Sequence, residues 1–503
     1  MSEPIAPAVT YPGVYRTEQA ASPFETSLPP VGVAAFIGAA ECGRPFTPTI
    51  VLSEEDFERQ FVGTSPLDTS ASSLATAVRG FFGNGGERLV VVRSVDPLTS
   101  LPAGAIVTPL LSFEAASAGV WANGLVVELI PDDENELQLT IVEVDAAGTR
   151  QVLEMWPDLS LIPGTPNYLD TVLERDSEFL RVAERDEGDL FDGVPVDLGV
   201  DDGSTLTFTL TGGDDGHADE ASSEAALTTA VDTLHQYSDV SLLAVPGLTD
   251  VSDLTGVLEE VNRRDDLLLL LDCPQSQERS TAVSHAQAFR SAFGHQPNVA
   301  LYTPWVVVDS PEGSRTVPPS GFMAGVIART DIQRGVFHTP AGLGAFLQGT
   351  TSLHVAFDDS EQAPLNALGV NVIRSFPDAG VVAWGARTLA VAEDGSEHLP
   401  VHRMAQYVRK AVASGTAWAV FETQGPPLWT RVSQSVEGFL NGLFQQGALA
   451  GVVATDSYRV QCDAENNPPD QVELGILTII VEFAMFRIGA FQTVVIEHVM
   501  ADE

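Results

Sequence analysis

The sequence predicts a multidomain α/β protein: a mixed α/β core with an all-β insertion, then an α+β C-terminal domain, with an extended arm at each end. Three observations predict it. Strand-length apolar runs alternate with helical periodicity over residues 31–95 and again over 213–395, the order of a partly parallel sheet. Residues 96–212 break into short alternating segments (LVVELI, LQLTIVEV, TRQVLEMW, TLTFTLTG) between acidic and glycine turns. Residues 396–503 hold one strongly amphipathic helix followed by two strands.

Residues 1–30 read as an arm without its own core. Pro4, Pro7, Pro12, Pro23, Pro29 and Pro30 interrupt any hydrogen-bond ladder and favour extended chain. The core opens at VGVAAFIGAA (Val31 to Ala40), a buried strand. Ser53 then caps a short helix with an acidic first turn. LATAVRGFFGNGGERLVVVRSV reads as helix, glycine turn and strand, with Leu89 to Val92 the apolar run. After the insertion, EAALTTAVDTLHQY is helical, and SLLAVPG, LLLLLDC and VALYTPWVVVD are buried strands. In VSQSVEGFLNGLFQQGAL, Val432, Val436, Phe439, Leu440, Leu443 and Phe444 recur at helical spacing, and Gly447 ends the helix. GILTIIVEFAMF and AFQTVVIEHV close the chain as strands.

Charge excludes whole classes of function. The 503 residues carry 69 Asp and Glu against 25 Lys and Arg, a formal net charge of −44, and Lys410 is the single lysine. With a pI near 4.2 and no basic stripe, nucleic-acid binding and attraction to anionic membranes are disfavoured. Hydrophobic content of 44% is that of an ordered chain rather than a disordered acidic one. Acidic excess with almost no lysine fits a protein working in concentrated salt, because at about 1 M the Debye length falls to roughly 3 Å. Cys42, Cys273 and Cys462 are too scattered for a disulfide framework and read as buried thiols. The N-terminus lacks the basic and apolar regions of a secretory signal, and LLLLL at Leu267 to Leu271 is far short of a membrane helix.

Candidate chemistry is sparse, and we expect no catalytic residue, cofactor or metal. GGDDG lacks the Lys-Ser/Thr of a P-loop and the spaced ligands of an EF-hand, and reads as a turn. DDENE at Asp132 to Glu136 reads as a solvated hairpin turn. His398 and His402 have helical metal-ligand spacing, but Pro400 between them argues against one smooth helix. Trp305, Trp384, Trp418 and Trp429 read as core or interface anchors.

Several segments, in order, resemble contractile tail sheath proteins. These are YPGVY at Tyr11 to Tyr15, FFGNGGERLVVVR at Phe81 to Arg93, ASAGVWANGLVVEL at Ala116 to Leu129 and LTGGDDG at Leu210 to Gly216. YTPW at Tyr302 and PPSGFMAGVIARTDIQRGVFHTPAG at Pro318 to Gly342 follow. NVIRSFPDAGVVAWGARTLA at Asn371, WAVFETQGPPLWTRVSQSVEGFLNGLFQQGALAG at Trp418 and YRVQCDAENN at Tyr458 complete the set. Ala122 stands where the family has glycine, and FAMFRIGAFQTVV lacks the family's Ala-Glu-Phe before the last strand.

The resemblance implies a non-enzymatic structural subunit, polymerising as stacked six-fold rings around an inner tube and contracting to drive that tube through a target envelope. Its partners would be other copies, the tube protein, and baseplate and terminator or cap proteins. Its place would be a virion tail or extracellular contractile particle assembled in the host cytoplasm. The N-terminal arm and C-terminal strand would cross to neighbours, the insertion would face outward, and the C-terminal domain would face the tube. An added strand gives main-chain bonds and alternate side-chain pockets, so the physics of edge strands agrees. The candidate arm residues are Val9, Tyr11, Pro12, Gly13, Val14 and Tyr15 at one end. At the other they are Thr493, Val494, Val495, Ile496 and Val499. The tube-facing candidates are Arg431, Gln434, Glu437, Asn441 and Gln445. Because the family's central fold has been likened to subtilisin, a serine hydrolase is the alternative reading. It has no GxSxG, and Ser320 in PPSG reads as part of a turn.

Overall fold

Five of the apolar runs read from the sequence lie side by side as parallel strands, joined by a sixth, Val370–Phe376. The computed structural model describes residues 28–62, 73–96, 98–106, 111–131, 136–144, 148–183, 204–216, 223–310, 313–391, 395–488 and 490–500. It divides into two compact units, Pro30–Tyr407 and a second that includes Val408–Glu503.

The first unit is built on an eight-stranded sheet in the order Gly380–Ala383, Val370–Phe376, Val299–Thr303, Leu268–Asp272, Leu242–Ala244, Ala34–Gly38, Leu89–Arg93, Thr49–Val51. The two outermost pairings are antiparallel and the rest parallel. The chain leaves this sheet after Arg93 and rejoins it at Leu242, which pairs with Ala34. Alternate residues of each strand face opposite layers. Ala35, Ile37, Leu243 and Leu269 pack on one side against helices that include Thr255–Arg264 and Ser280–Phe293. Phe36, Leu242 and Leu268 pack on the other, where helices Ser73–Gly83 and Ser320–Arg334 lie. Burial on both faces is why these strands are continuously apolar rather than alternating.

Ser320–Arg334 is buried almost all round, and small residues let it approach Ser73–Gly83 closely. A Cβ on Gly325 would stand 2.5 Å from the Phe81 carbonyl oxygen, so the signature's glycine is a packing requirement. Ser53 caps the Glu54–Phe61 helix as expected, its hydroxyl accepting from the Asp56 N–H at 3.1 Å. VALYTPWVVVD is two strands rather than one. Val299–Thr303 belongs to the large sheet and Val306–Ser310 to a separate antiparallel sheet, and Pro304, with no N–H to donate, lies between them.

Between its two visits to the main sheet the chain forms two antiparallel sheets. One is ordered Leu206–Thr209, Val126–Pro131, Glu136–Val144, Arg150–Ser160, and the other Gly104–Ile106, Ser112–Ala115, Leu180–Val182. They share a core with helix Leu169–Asp176. That helix corrects the all-β expectation. It has eight residues and no side-chain N-cap, so neither periodicity nor a start signal marks it.

The base of this excursion is tied by three of the segments noted in the sequence. Arg93, 1% exposed, donates from Nε to the Ala40 carbonyl (2.8 Å) and from Nη1 to those of Gly43 (2.9 Å) and Ala118 (2.7 Å). Asp215 of GGDDG lies 3.8 Å from its Nη2 and also accepts from the Val120 N–H at 3.1 Å. Asn123 exchanges two hydrogen bonds with Gly213, at 2.8 and 2.9 Å. Gly119, at φ +130°, passes so close that a Cβ would stand 2.6 Å from Asp215 Oδ1. GGDDG is thus a structural clamp.

In the second unit, helix Pro426–Gln445 buries Leu428, Trp429, Val432, Val436, Phe439, Leu440 and Leu443. Its two leading prolines sit where a helix tolerates them. A three-stranded antiparallel sheet, Tyr458–Gln461, Ile476–Ala484, Phe491–Val499, completes the unit.

Candidate assembly site

The two closing strands form because β-branched and aromatic residues alternate over nine positions each, one face inward. Ile476 pairs with Val499 and every position follows in register to Ala484 with Phe491. Val494 and Ile496 are buried; Thr493, Val495 and Val499 face outward. The C-terminal segment expected as a free donor is therefore, in the single chain, the outer strand of its own sheet. The reason is local: the hairpin closes over a short connection and satisfies one edge of the strand at once. The other edge has no strand beside it among the described residues.

Beside that edge lies an uncovered apolar face. Val495 (48% exposed) sits opposite Ile480, and Val499 (75% exposed) opposite Ile476, with Leu474 (72% exposed) two positions before Ile476 in the chain. Ile476, Ile480 and Leu474 extend the patch beyond the residues picked from sequence. Their signal was present, since Ile476 and Ile480 share an alternation parity. Arg459 borders the face, 3.6 Å from Glu482 and over the Phe491 ring. The Thr416 hydroxyl and His498 Nε2 lie 2.8 Å apart, fixing the strand to the helix before it. Burial holds that imidazole below its ordinary pKa.

The arm candidates Val9, Tyr11, Pro12, Gly13, Val14 and Tyr15 lie outside the described residues. On Pro426–Gln445, Arg431, Gln434, Glu437 and Gln445 are exposed and Asn441 half-buried, all along one stripe. Arg431 is partly committed within the chain, 4.6 Å from the centre of the Trp418 ring and 3.3 Å from Glu422.

Groups that suggested chemistry are structurally engaged. Ser320 is fully buried; its hydroxyl donates to Asp272 at 2.7 Å and its N–H at 2.8 Å. A nucleophile needs access and a base, and this hydroxyl has neither solvent contact nor a histidine partner. The hydrolase reading finds no support. Burial pushes the Asp272 carboxyl up from 3.8 to about 6, against the pull of hydrogen bonds from Gly247 and Ser320. Below about pH 4 both folded and unfolded chains hold this proton; between 4 and 6 only the folded chain does. Stability from the neutral acid is therefore complete at low pH and lost as pH rises through about 6, about 3 kcal/mol in all. Asp272→Asn is expected to flatten the slope of unfolding free energy against pH across that window in denaturant titrations; an unchanged slope would assign the titration elsewhere.

His402 is bonded to Asn298 (2.6 Å), and Pro400 sits in the first turn of helix Leu399–Thr416, which it does not break. Asp232, His235 and Glu260 bring ligand atoms within 4.8 Å of one another. The Arg263 guanidinium contacts Glu260 and His235 and lies 3.8 Å from Asp232, so the cluster carries its own cation. Burial raises all three thiols, Cys42 and Cys462 to about 12, which removes thiolate reactivity. Among the described residues no helix is long and apolar enough to cross a membrane.

Comparison with known proteins agrees with this architecture. Residues 220–389 match the family model for the phage tail sheath protein central domain. The tail sheath protein of Vibrio phage KVP40 is 24% identical over 234 residues, 42% of this chain and 34% of that protein. A putative prophage major tail sheath protein of Pseudomonas aeruginosa is 26% identical over 238 residues, 46% of this chain and 58% of that protein. These matches support a tail sheath family, with the sheath central domain at residues 220–389. The matched stretch spans about a third and just over half of those relatives' lengths. The fold extends along nearly the whole chain. The crystal structure of the sheath tail protein from Listeria innocua superposes with a TM-score of 0.66 at 13% identity, over 94% of this chain and 97% of that one. The helical sheath of the anti-feeding prophage in its contracted state gives 0.54 at 22% identity, over 95% and 96%.

Proposed function

We propose that this chain is the repeating subunit of a contractile sheath. Copies stack as six-fold rings around an inner tube, and the lattice shortens to drive that tube through an envelope. The observation that carries the reading is that Phe491–Val499 is the outer strand of its sheet, with no strand on its far side among the described residues, beside an exposed apolar face. A neighbour's N-terminal arm, with Val9 and Tyr11 to Tyr15, adds to that edge. The terminal strand is then as much acceptor as donor. Each main-chain bond contributes about 0.5–1.5 kcal/mol net, so a handful per copy holds neighbours while the bodies move. The exposed stripe from Arg431 to Gln445 faces the tube. Baseplate and terminator proteins complete the particle, a virion tail or an extracellular injection device assembled in a host cytoplasm; similar chains occur in an anti-feeding prophage baseplate and an extracellular contractile injection system.

Negative-stain microscopy of the purified protein is expected to show striated cylinders. Deleting residues 1–20 is expected to leave a folded monomer that forms none; normal cylinders from the truncated chain would remove the arm from the mechanism. Operation in concentrated salt is part of the proposal. At net charge −44, lowering salt from molar to millimolar should shorten the cylinders, and unchanged length distributions would count against it.

A further inference from the structure

Four of the chain's twenty-four arginines line one cleft. Its volume is about 310 Å³, and Arg44, Arg59, Arg175 and Arg181 face it together with Trp121 and Phe179. Two carboxylates, Asp176 and Glu178, also line it. In a chain with nearly three acidic residues per basic one, this is a local concentration of arginine, each with an acidic neighbour in Glu174, Asp56 or Asp176.

The arginines are held but not used up. Arg181, 10% exposed, is fixed by the carbonyls of Leu173, Ser177 and Leu180 and lies 3.0 Å from Glu174. Arg44 donates to the Glu174 carbonyl at 2.8 Å and lies 3.6 Å from the Glu174 carboxylate. Arg59 pairs with Asp56 and Arg175 with its chain neighbour Asp176, yet their side chains are 66% and 63% exposed. A guanidinium has five N–H donors in a fork that suits a carboxylate, so one neighbour leaves several unspent. The indole N–H of Trp121 is buried without a partner among the described residues. Such a donor set, over an aromatic wall, is built for an acidic group.

We infer that this cleft receives an Asp or Glu side chain from a second copy of the chain. The inference rests on the assembly reading. Within a lattice of copies, neighbouring carboxylates are the most concentrated anions available, and their mutual repulsion is relieved where one meets arginine.

The near absence of lysine supplies the test. In Arg59→Lys and Arg175→Lys variants, the introduced amine is one of two lysine amines in the chain, so carbodiimide products through it are readily assigned. Cylinders grown from mixed light and heavy isotope-labelled copies should give crosslinked peptides joining one label to the other at position 59 or 175, and dissociated protein should give none. The Arg59→Ala/Arg175→Ala pair should raise the concentration needed for assembly by about tenfold, the scale of one or two charge-assisted bonds. If wild-type cylinders form but crosslinks stay within single copies, and the double variant assembles like wild type, the cleft has no such role. If wild-type protein forms no cylinders, the assembly reading falls and this one with it.

Discussion

Replacing Arg93 by alanine is expected to destabilise the chain by on the order of 3–5 kcal/mol, more than most single substitutions. The guanidinium is buried, and burial pulls its pKa below the ordinary arginine value. Its cost is met by the carbonyls of Ala40, Glu41, Gly43 and Ala118 and by Asp215. Alanine would strand these acceptors and leave a cavity; each unsatisfied buried carbonyl costs about 1–3 kcal/mol. Lysine is not a remedy, because one ammonium cannot reach carbonyls on three sides. Hydrogen exchange should quicken first at residues 94–96, 118–124 and 210–216, where the excursion leaves and rejoins the core. Wild-type protection in those segments, with an unchanged denaturation midpoint, would show that the clamp bears no load.

The Arg93 cluster also marks the limit of what the sequence makes legible. The strand ending in Arg93, the Gly119 segment and GGDDG were each recognisable, but their meeting was not, because Arg93 lies from 25 to more than 120 positions from its partners there. Local signals served well where one face decides the pattern. The Ser53 cap, the seven-residue buried stripe of Pro426–Gln445 and the parallel core strands all follow from period and burial. Leu169–Asp176 failed because eight residues without a cap carry too little pattern. For the assembly site, the sequence grouped Thr493, Val494, Val495, Ile496 and Val499 together, whereas the structure turns Val494 and Ile496 inward and leaves Thr493, Val495 and Val499 exposed. The sequence could not say that the strand closes on its own neighbour, since the same alternation suits either partner.

Polar residues inside helix Leu399–Thr416 were the least legible of all, and they carry the second large expected effect. Arg403 and Asp331 form a two-pronged ion pair, both bonds 2.6 Å, with side chains 4% and 1% exposed. Arg403→Met alone should cost on the order of 3–5 kcal/mol, because it leaves a buried carboxylate without its counter-charge. Burial already raises the Asp331 pKa, with Arg403 pulling the other way. Without that pull the carboxyl titrates higher still, so the single variant should be most stable in acid and lose stability as pH rises. Asp331→Leu combined with Arg403→Met removes both charges and should recover most of the loss, since hydrophobic replacement of a buried pair is often neutral or better. Denaturant titrations of the two single variants and the double close the thermodynamic cycle. Additive losses would mean that the pair is two independent contacts; a strongly favourable coupling would mean that the helix is seated by one charge answering another.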